Sequence, residues 1–110
     1  LKTLYFKDTY LDYSLNFLSE IPTLVNFDMS LNNIFAKYSF IYQNLIILES
    51  LYISNTDLEY LEDKIDISHF KRLMILDMSQ NKLKKIEKNY FSYNYFIEYL
   101  NLSHNQIETI

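Results

Sequence analysis

Asp28 and Asp77 are the residues whose type and spacing best suit acid–base chemistry. They occupy equivalent positions in a repeated sequence pattern, and Tyr52 holds the same position in the copy between them. If the copies stack as neighbouring strands, the two carboxylates lie two strands apart, roughly 10 Å. That separation is at or beyond the wide end for a general acid and a general base acting on one bond. We therefore expect both side chains to be solvated rather than catalytic.

The remaining reactive residue types do not form a catalytic or metal-binding pattern. His69 and His104 fall in different parts of the repeat, and the chain has no cysteine, so a transition-metal site is not expected. The chain also has no glycine and cannot build a phosphate-cradling glycine loop. No serine, histidine and acid cluster or cofactor motif occurs. We expect no enzymatic activity, no metal and no cofactor.

The charge of the chain excludes two classes of partner. The formal net charge of −4 is mild and mixed in sign, so nucleic acid and direct contact with an anionic membrane are not expected. A short basic cluster comprises Lys82, Lys84, Lys85 and Lys88. Apolar and acidic residues interrupt it, which is typical of a solvated turn, and contact with an acidic partner is the alternative.

Asn101, Leu102 and Ser103 form the one N-x-S/T sequon of the chain. In a secreted protein, Asn101 could carry a glycan that would obstruct part of the surface described below. The alternative is that the repeat pattern itself produces this tripeptide without any modification.

An apolar pattern repeated five times in register organises the whole chain. The clearest copy, LMILDMSQNKLKKI, has apolar residues at its positions 1, 4, 6, 11 and 14 and asparagine at position 9. Successive copies are 23, 24, 25 and 24 residues apart. They begin at Leu1, Leu24, Leu48, Leu73 and Ile97.

Positions 4 and 6 of each copy have the two-residue period of a strand with one buried face. In the fourth copy, Leu76 and Met78 are predicted to point inward, and Ile75, Asp77 and Ser79 to point outward. One strand of this kind cannot bury its apolar face without neighbouring strands and a covering layer. Stacking the copies side by side forms a parallel sheet, and the return segments close each coil on the far side. The pattern predicts a curved solenoid.

Position 9 is asparagine in three copies, at Asn32, Asn81 and Asn105, and threonine at Thr9 and Thr56. This position follows the strand, where backbone groups lose their sheet partners. An inward-facing amide can bond both the backbone of its own turn and that of the neighbouring coil. We predict a buried asparagine ladder, to which threonine can contribute only in part.

Two further columns are found in the segments between the copies. Six residues before each start stand Leu18, Tyr42, Ile67 and Phe91, and three residues before stand Ile21, Leu45, Phe70 and Asn94. Asn94 is the one residue of the eight that is neither apolar nor aromatic. We expect a one-residue shift that places Tyr93 or Tyr95 in the column instead.

These motifs resemble the leucine-rich repeat family, in particular its subclass of about 24 residues found in Toll-like receptor ectodomains. The resemblance covers the whole chain and implies an α/β solenoid, a right-handed coil with a parallel concave β-sheet and irregular or short helical convex segments. It divides the chain into one solenoid of repeats 1–23, 24–47, 48–72, 73–96 and a partial repeat 97–110. Neither end carries a polar cap, so we expect a fragment of a longer solenoid that lacks both caps.

Ligands of such solenoids are expected on the concave sheet, whose outward positions every repeat extends. Position 3 reads Thr3, Asn26, Ser50, Ile75 and Tyr99, position 5 reads Tyr5, Asp28, Tyr52, Asp77 and Asn101, and position 7 reads Lys7, Ser30, Ser54, Ser79 and Ser103. Tyr5, Tyr52 and Tyr99 are candidate anchors, because tyrosine combines apolar area with a hydroxyl group. The candidate ligand surface adds Asp28, Asp77 and Asn101. Cross-strand packing of the tyrosines is the alternative.

The interpretation is a non-enzymatic recognition module, the interior part of a receptor ectodomain on the extracellular side of the plasma membrane or secreted. Its partner would be a protein ligand or co-receptor, or a glycan. One alternative is a cytoplasmic leucine-rich repeat adaptor or specificity subunit. Another is a repeat appendage to an enzyme such as a kinase or ubiquitin ligase.

Overall fold

Five short parallel strands form one sheet in the computed structural model, which describes residues 2–5, 23–31, 45–59 and 67–108. Each strand covers positions 3 to 5 of one copy, and the strands neighbour one another in chain order. The strands are β1 (Thr3–Tyr5), β2 (Asn26–Asp28), β3 (Ser50–Tyr52), β4 (Ile75–Asp77) and β5 (Tyr99–Asn101). The predicted solenoid with one strand per copy is confirmed.

The register of the sheet places equivalent positions of all five copies side by side. Position 3 pairs with position 3 and position 5 with position 5 across every strand pair. The inward row formed by position 4 is Leu4, Phe27, Leu51, Leu76 and Leu100. Since the register is the same in all four strand pairs, outward side chains of one column stack along the axis of the solenoid at about 4.8 Å per strand.

Backbone hydrogen bonds between copies continue beyond the three-residue strands. At position 6, the Met78 N–H donates to the Asn101 carbonyl at 2.9 Å, and at position 8 the Gln80 N–H donates to the Ser103 carbonyl at 2.9 Å. Bonds of the same kind join the second copy to the third and the third to the fourth. The hydrogen-bonded part of the second, third and fourth copies therefore extends from position 2 to position 8.

The apolar core lies behind the sheet and is filled by positions 1, 4, 6 and 11 together with the return segments. Ile67 and Phe70 of one return segment are fully buried, as the second pair of columns predicts. Within the described ranges, the residues of the return segments form turns and irregular structure without a helix. Nor does the described part of the chain contain any helix that is long and apolar enough to cross a membrane. Leu18, Ile21 and Tyr42 of the same columns lie outside the described residues.

The prediction that position 7 faces outward is wrong for two copies. Ser30 and Ser79 are only 4% and 6% exposed, whereas Ser103 is exposed. The chain turns away from the sheet at this position, and the small hydroxyl side chain lies within the turn. The prediction also fails for Ser50 at position 3, which is 7% exposed. The outward surface of the central copies therefore consists mainly of position 5, with Asn26 and Ile75 at position 3.

The expectation of a shifted tyrosine in the last return segment is also wrong. Asn94 itself occupies the column and is 5% exposed, while Tyr93 and Tyr95 are 53% and 73% exposed. The Asn94 Nδ2 donates to the carbonyls of Ile67 and Phe70 in the preceding return segment, at 2.9 and 3.1 Å. The amide thus links two neighbouring copies on the convex side, a role that an apolar side chain cannot fill.

Position 8 adopts a left-handed backbone conformation in each of the four copies where it is described. The φ angles are 63° at Leu31, 52° at Asn55, 55° at Gln80 and 57° at His104. Glycine and asparagine tolerate this region best, and for most other residues it costs roughly 1–2 kcal/mol. Leu31 is the most strained choice of the four, because it has neither a small nor a polar side chain to compensate.

We predict that Leu31→Asn raises the free energy of unfolding by about 0.5–1 kcal/mol, because asparagine adopts the left-handed region at lower cost. Urea unfolding of the variant measures the change. Leu31→Ala is the control, since it removes the same apolar side chain, which is 39% exposed, without relieving the backbone. Equal stability of the two variants would contradict the prediction.

Candidate functional site

The concave face presents two outward columns, of which position 5 is the more distinctive. Its order across the sheet is Tyr5, Asp28, Tyr52, Asp77 and Asn101. Tyrosine and carboxylate side chains therefore alternate over the first four strands. Tyr5 is 69% exposed and Tyr52 is half-buried. The third predicted anchor, Tyr99, lies in the position 3 column and is 52% exposed.

Each acidic or amide side chain of the position 5 column also forms a turn at the end of its strand. The Oδ1 of Asp28 accepts the Ser30 N–H at 2.9 Å, and the Oδ1 of Asp77 accepts the Ser79 N–H at 2.9 Å. Asn101 repeats the contact with the Ser103 N–H at 3.0 Å. Such Asx turns satisfy a backbone donor that the sheet leaves free. One oxygen of each side chain thus has a structural role, which the sequence reasoning missed although the spacing D/N-x-S signals it.

The third copy lacks this turn because Tyr52 replaces the acid. Its Ser54 N–H donates instead to the Ser30 Oγ of the preceding copy, at 3.2 Å. The backbone donor is therefore satisfied without help from position 5. Tyr52 does not form the local hydrogen bond that Asp28 and Asp77 form with their own turns. It is therefore a better candidate for contact with a ligand than either of them.

The carboxylates on either side of Tyr52 have no cationic partner within the described residues. Asp28 and Asp77 each lie one strand from Tyr52, about 4.8 Å along the sheet. An aromatic ring between two carboxylates suits a cationic side chain, which gains from both the charges and the ring face. This arrangement has the wrong spacing for an acid–base pair and the right composition for binding lysine or arginine.

The asparagines of position 9 make dense contacts within and between copies. Asn81 is 6% exposed, and its Oδ1 accepts the N–H groups of Thr56 and Leu58 at 2.8 and 3.1 Å and the Thr56 hydroxyl at 3.1 Å. Its Nδ2 donates to the carbonyls of Ile53, Met78 and Ser79, at 3.0 to 3.1 Å.

Asn105 repeats the geometry of Asn81 one copy further on. Its Nδ2 donates to Met78 and Leu102 carbonyls at 3.0 and 2.9 Å, and its Oδ1 accepts the Leu83 N–H at 3.0 Å. Asn32 lies outside the described residues. The Thr56 hydroxyl lies 3.0 Å from the Ile53 carbonyl oxygen of its own turn and 3.1 Å from the Asn81 Oδ1, and its one proton can be donated to either acceptor. Position 9 thus joins successive copies through side-chain hydrogen bonds.

The sequon side chain at Asn101 is engaged at both of its polar atoms. Its Oδ1 accepts the Ser103 hydroxyl at 2.6 Å as well as the Ser103 N–H, and its Nδ2 donates to the Tyr99 hydroxyl at 3.3 Å. Asn101 lies in the outward position 5 column. A glycan on its Nδ2 would therefore stand on the concave face next to Tyr99.

The basic cluster after β4 is partly neutralised. Lys82 Nζ lies 2.6 Å from an Asp57 carboxylate oxygen, and Lys85 Nζ lies 3.4 Å from Glu87. The hydrogen bond to Asp57, and then its charge, raise the pKa of Lys82 above the ordinary value. These lysines lie past the strand ends, away from the position 5 column.

The two histidines lie apart from each other and from the position 5 column. His69 and His104 are both exposed and belong to different segments of the repeat. Among residues 2–5, 23–31, 45–59 and 67–108, no group of three or more His, Cys, Asp or Glu side chains could hold a metal ion.

The repeated sequence pattern and the parallel sheet of five strands define a leucine-rich repeat solenoid fold. A family model described as "Leucine rich repeat" matches residues 71–110, which supports assignment to this family.

Individual relatives extend the likeness over nearly the whole chain. Tsukushi from Gallus gallus is 32% identical over 136 aligned residues, covering 93% of this chain and 37% of the relative. The leucine-rich repeat domain of APL1B superposes with a TM-score of 0.77 at 22% identity, covering 94% of this chain and 31% of that one. An internalin (inlF) from Listeria monocytogenes str. 4b F2365 gives a TM-score of 0.62 at 16% identity, covering 98% and 35%. The chain thus spans about a third of the length of these proteins.

Proposed function

We propose that this chain is part of a receptor ectodomain, similar to those of Toll-like receptors, and that it binds a protein ligand or co-receptor on its concave face. The observation that carries the proposal is the position 5 column, where Tyr52 stands between Asp28 and Asp77 on an outward sheet surface. The length of the relatives supports a longer solenoid, since the chain spans about a third of each. The molecule would act on the extracellular side of the plasma membrane or as a secreted protein, in innate immunity or another form of cell-surface recognition.

The composition of the column also indicates what the ligand presents. Two carboxylates that have no cationic partner in the described part of the chain, with the Tyr52 ring between them, suit an arginine or lysine side chain of a protein partner. Tyr5 and Tyr99 would extend the contact toward the first and last described strands. A glycan ligand would use the same tyrosines through stacking and hydroxyl contacts.

Tyr52→Ala is expected to weaken ligand binding by roughly 1–3 kcal/mol, as truncation of a central aromatic anchor does. Stability should change much less than in the core variant Leu76→Ala, because Tyr52 is only half-buried and bonds no backbone group of its own turn. The two quantities are measured by titration with the ligand and by urea unfolding. If Tyr52→Ala lowers stability as much as Leu76→Ala, the residue packs the sheet and does not serve recognition.

Asp77→Asn is a matched test of the charge, because an amide at this position keeps the Asx turn, as Asn101 shows. We expect weaker binding, a smaller salt dependence of binding, and unchanged stability. Unchanged affinity with an intact fold would argue against a cationic group at this site.

The receptor assignment is tested by the coding sequence on both sides of this reading frame. A cleavable signal, a cysteine-rich cap and about 20 apolar residues downstream would support an ectodomain. Flanks with neither signal nor membrane span would argue for the cytoplasmic adaptor instead. This result leaves the binding tests on Tyr52 and Asp77 unaffected, so the site and the location of the protein are judged separately.

A further inference from the structure

A groove of about 350 Å³ runs along the edge of the sheet where β3, β4 and β5 begin. It is lined by Glu49, Met74 and Glu98 from position 2 of three successive copies, and by Arg72 and Phe96, which precede position 1. None of these residues belongs to the position 3 or position 5 columns. The groove is therefore separate from the concave surface around Tyr52.

The position 2 side chains form a straight row because their backbones are bonded in series. The Met74 N–H donates to the Glu49 carbonyl at 2.8 Å, and the Glu98 N–H donates to the Met74 carbonyl at 2.9 Å. Adjacent members are thus one strand spacing apart, and the backbones of Glu49 and Glu98 are separated by about 9.6 Å. The row consists of an acid, an apolar side chain and a second acid.

The groove also presents an exposed apolar side chain. Phe96 is 63% exposed, and Met74 beside it is half-buried. Glu49, Glu98 and Arg72 form no ion pair with any residue of the described ranges. Two carboxylates against one guanidinium leave the lining with a net negative charge, so the groove favours a cationic partner around an apolar centre.

We infer that this groove binds a protein segment in which one apolar patch lies between two basic side chains about 10 Å apart. An amphipathic helix meets the spacing, because residues i and i+7 lie on one face about 10.5 Å apart with i+3 and i+4 between them. The apolar residues of such a helix would cover Met74 and Phe96. Its basic residues would pair with Glu49 and Glu98. The two carboxylates disfavour phosphate groups, which sets nucleic acid and anionic lipid aside as occupants.

The probe is a labelled alanine-rich helical peptide with lysine at i and i+7 and leucine at i+3 and i+4. A control peptide carries glutamate in place of both lysines. Binding to the protein is followed by fluorescence anisotropy at low ionic strength. The variants Glu49→Gln and Glu98→Gln each remove one carboxylate, and Arg72→Gln removes the opposing charge. Glu108→Gln is the control for an exposed acid outside the groove.

We expect saturable binding of the lysine peptide. Glu49→Gln and Glu98→Gln should each weaken the affinity about 2- to 5-fold, and Arg72→Gln should strengthen it by a similar factor. Glu108→Gln should leave the affinity unchanged, because Glu108 lies outside the groove. The inference is overturned if no saturable binding occurs, if the glutamate peptide binds equally well, or if Glu108→Gln weakens binding as much as the groove substitutions.

Discussion

Replacing Asn81 by alanine is expected to lower the free energy of unfolding by about 2–4 kcal/mol, because several buried backbone groups lose their partners at once. The Asn81 amide oxygen accepts the N–H groups of Thr56 and Leu58, and its NH2 group donates to carbonyls of its own turn and of the preceding copy. The surrounding region is buried, so water cannot replace these bonds without opening the turn. Urea unfolding monitored by circular dichroism measures the loss.

Two further substitutions separate the chemistry of this side chain from its size. Asn81→Asp keeps the shape of the side chain and its accepting oxygen. It replaces the NH2 group, which donates to the carbonyls of Ile53, Met78 and Ser79, by a second oxygen that repels them. We therefore expect this variant also to be strongly destabilised at neutral pH. Gln80→Ala, at the exposed neighbouring residue, should change stability by less than about 0.5 kcal/mol. A wild-type urea midpoint for Asn81→Ala or Asn81→Asp would show that the ladder does not hold the copies together.

Leu76→Ala is expected to lower the free energy of unfolding by about 2–5 kcal/mol, the range for deleting a buried leucine side chain whose surroundings cannot collapse. Leu76 is fully buried in β4, with Leu51 of β3 on one side and Leu100 of β5 on the other. Hydrogen bonds on both sides of β4 fix the strand spacing, so the cavity would persist. Thermal or urea unfolding measures the effect.

Ile75→Ala is the matched control, because Ile75 precedes Leu76 in the same strand and faces the opposite, concave side. It is half-buried, and we expect a loss of no more than about 1 kcal/mol. Similar losses at Ile75 and Leu76 would contradict the assignment of the core to the inward face of the sheet.

The strands and their register could be predicted from the sequence because one residue type recurs at fixed spacing. A two-residue apolar period at positions 4 and 6 places Leu76 and Met78 on the same buried face, and the recurrence of this pattern in every copy, at spacings of 23 to 25 residues, favours pairing of equivalent positions. The outward columns follow directly. Tyr52 and its two carboxylate neighbours could therefore be placed side by side without any structure.

Features that depend on single side chains could not be predicted in the same way. Asn94 breaks an apolar column, and its burial follows only from the two carbonyls of the preceding copy that its amide reaches. Ser79 was predicted to face outward because the inward–outward alternation of the strand was assumed to continue to position 7, whereas β4 ends at Asp77. The Asx turns at Asp28 and Asp77 were missed for a related reason. An outward polar side chain can bond either the backbone of its own turn or a ligand, and the repeat pattern alone does not show which of these it does.

The groove at the start of β3, β4 and β5 was missed for a different reason. Position 2 has no consensus residue type, so Glu49, Met74 and Glu98 have no recurring signal in the sequence. Their alignment emerges only from the backbone bonds between copies. Variable positions of a repeat become informative once the register is known, because the register determines which of them are neighbours.

The most direct test of recognition by the concave face is photo-cross-linking from Tyr52 in the cells that make the protein. Benzoylphenylalanine would replace Tyr52 in one variant and Tyr93, an exposed tyrosine of the return segment, in the other. The account predicts covalent capture of a protein partner from position 52, lost when Asp77→Asn is added, and no such capture from position 93. Equal capture from both positions, or capture from position 93 alone, would contradict recognition through the concave face.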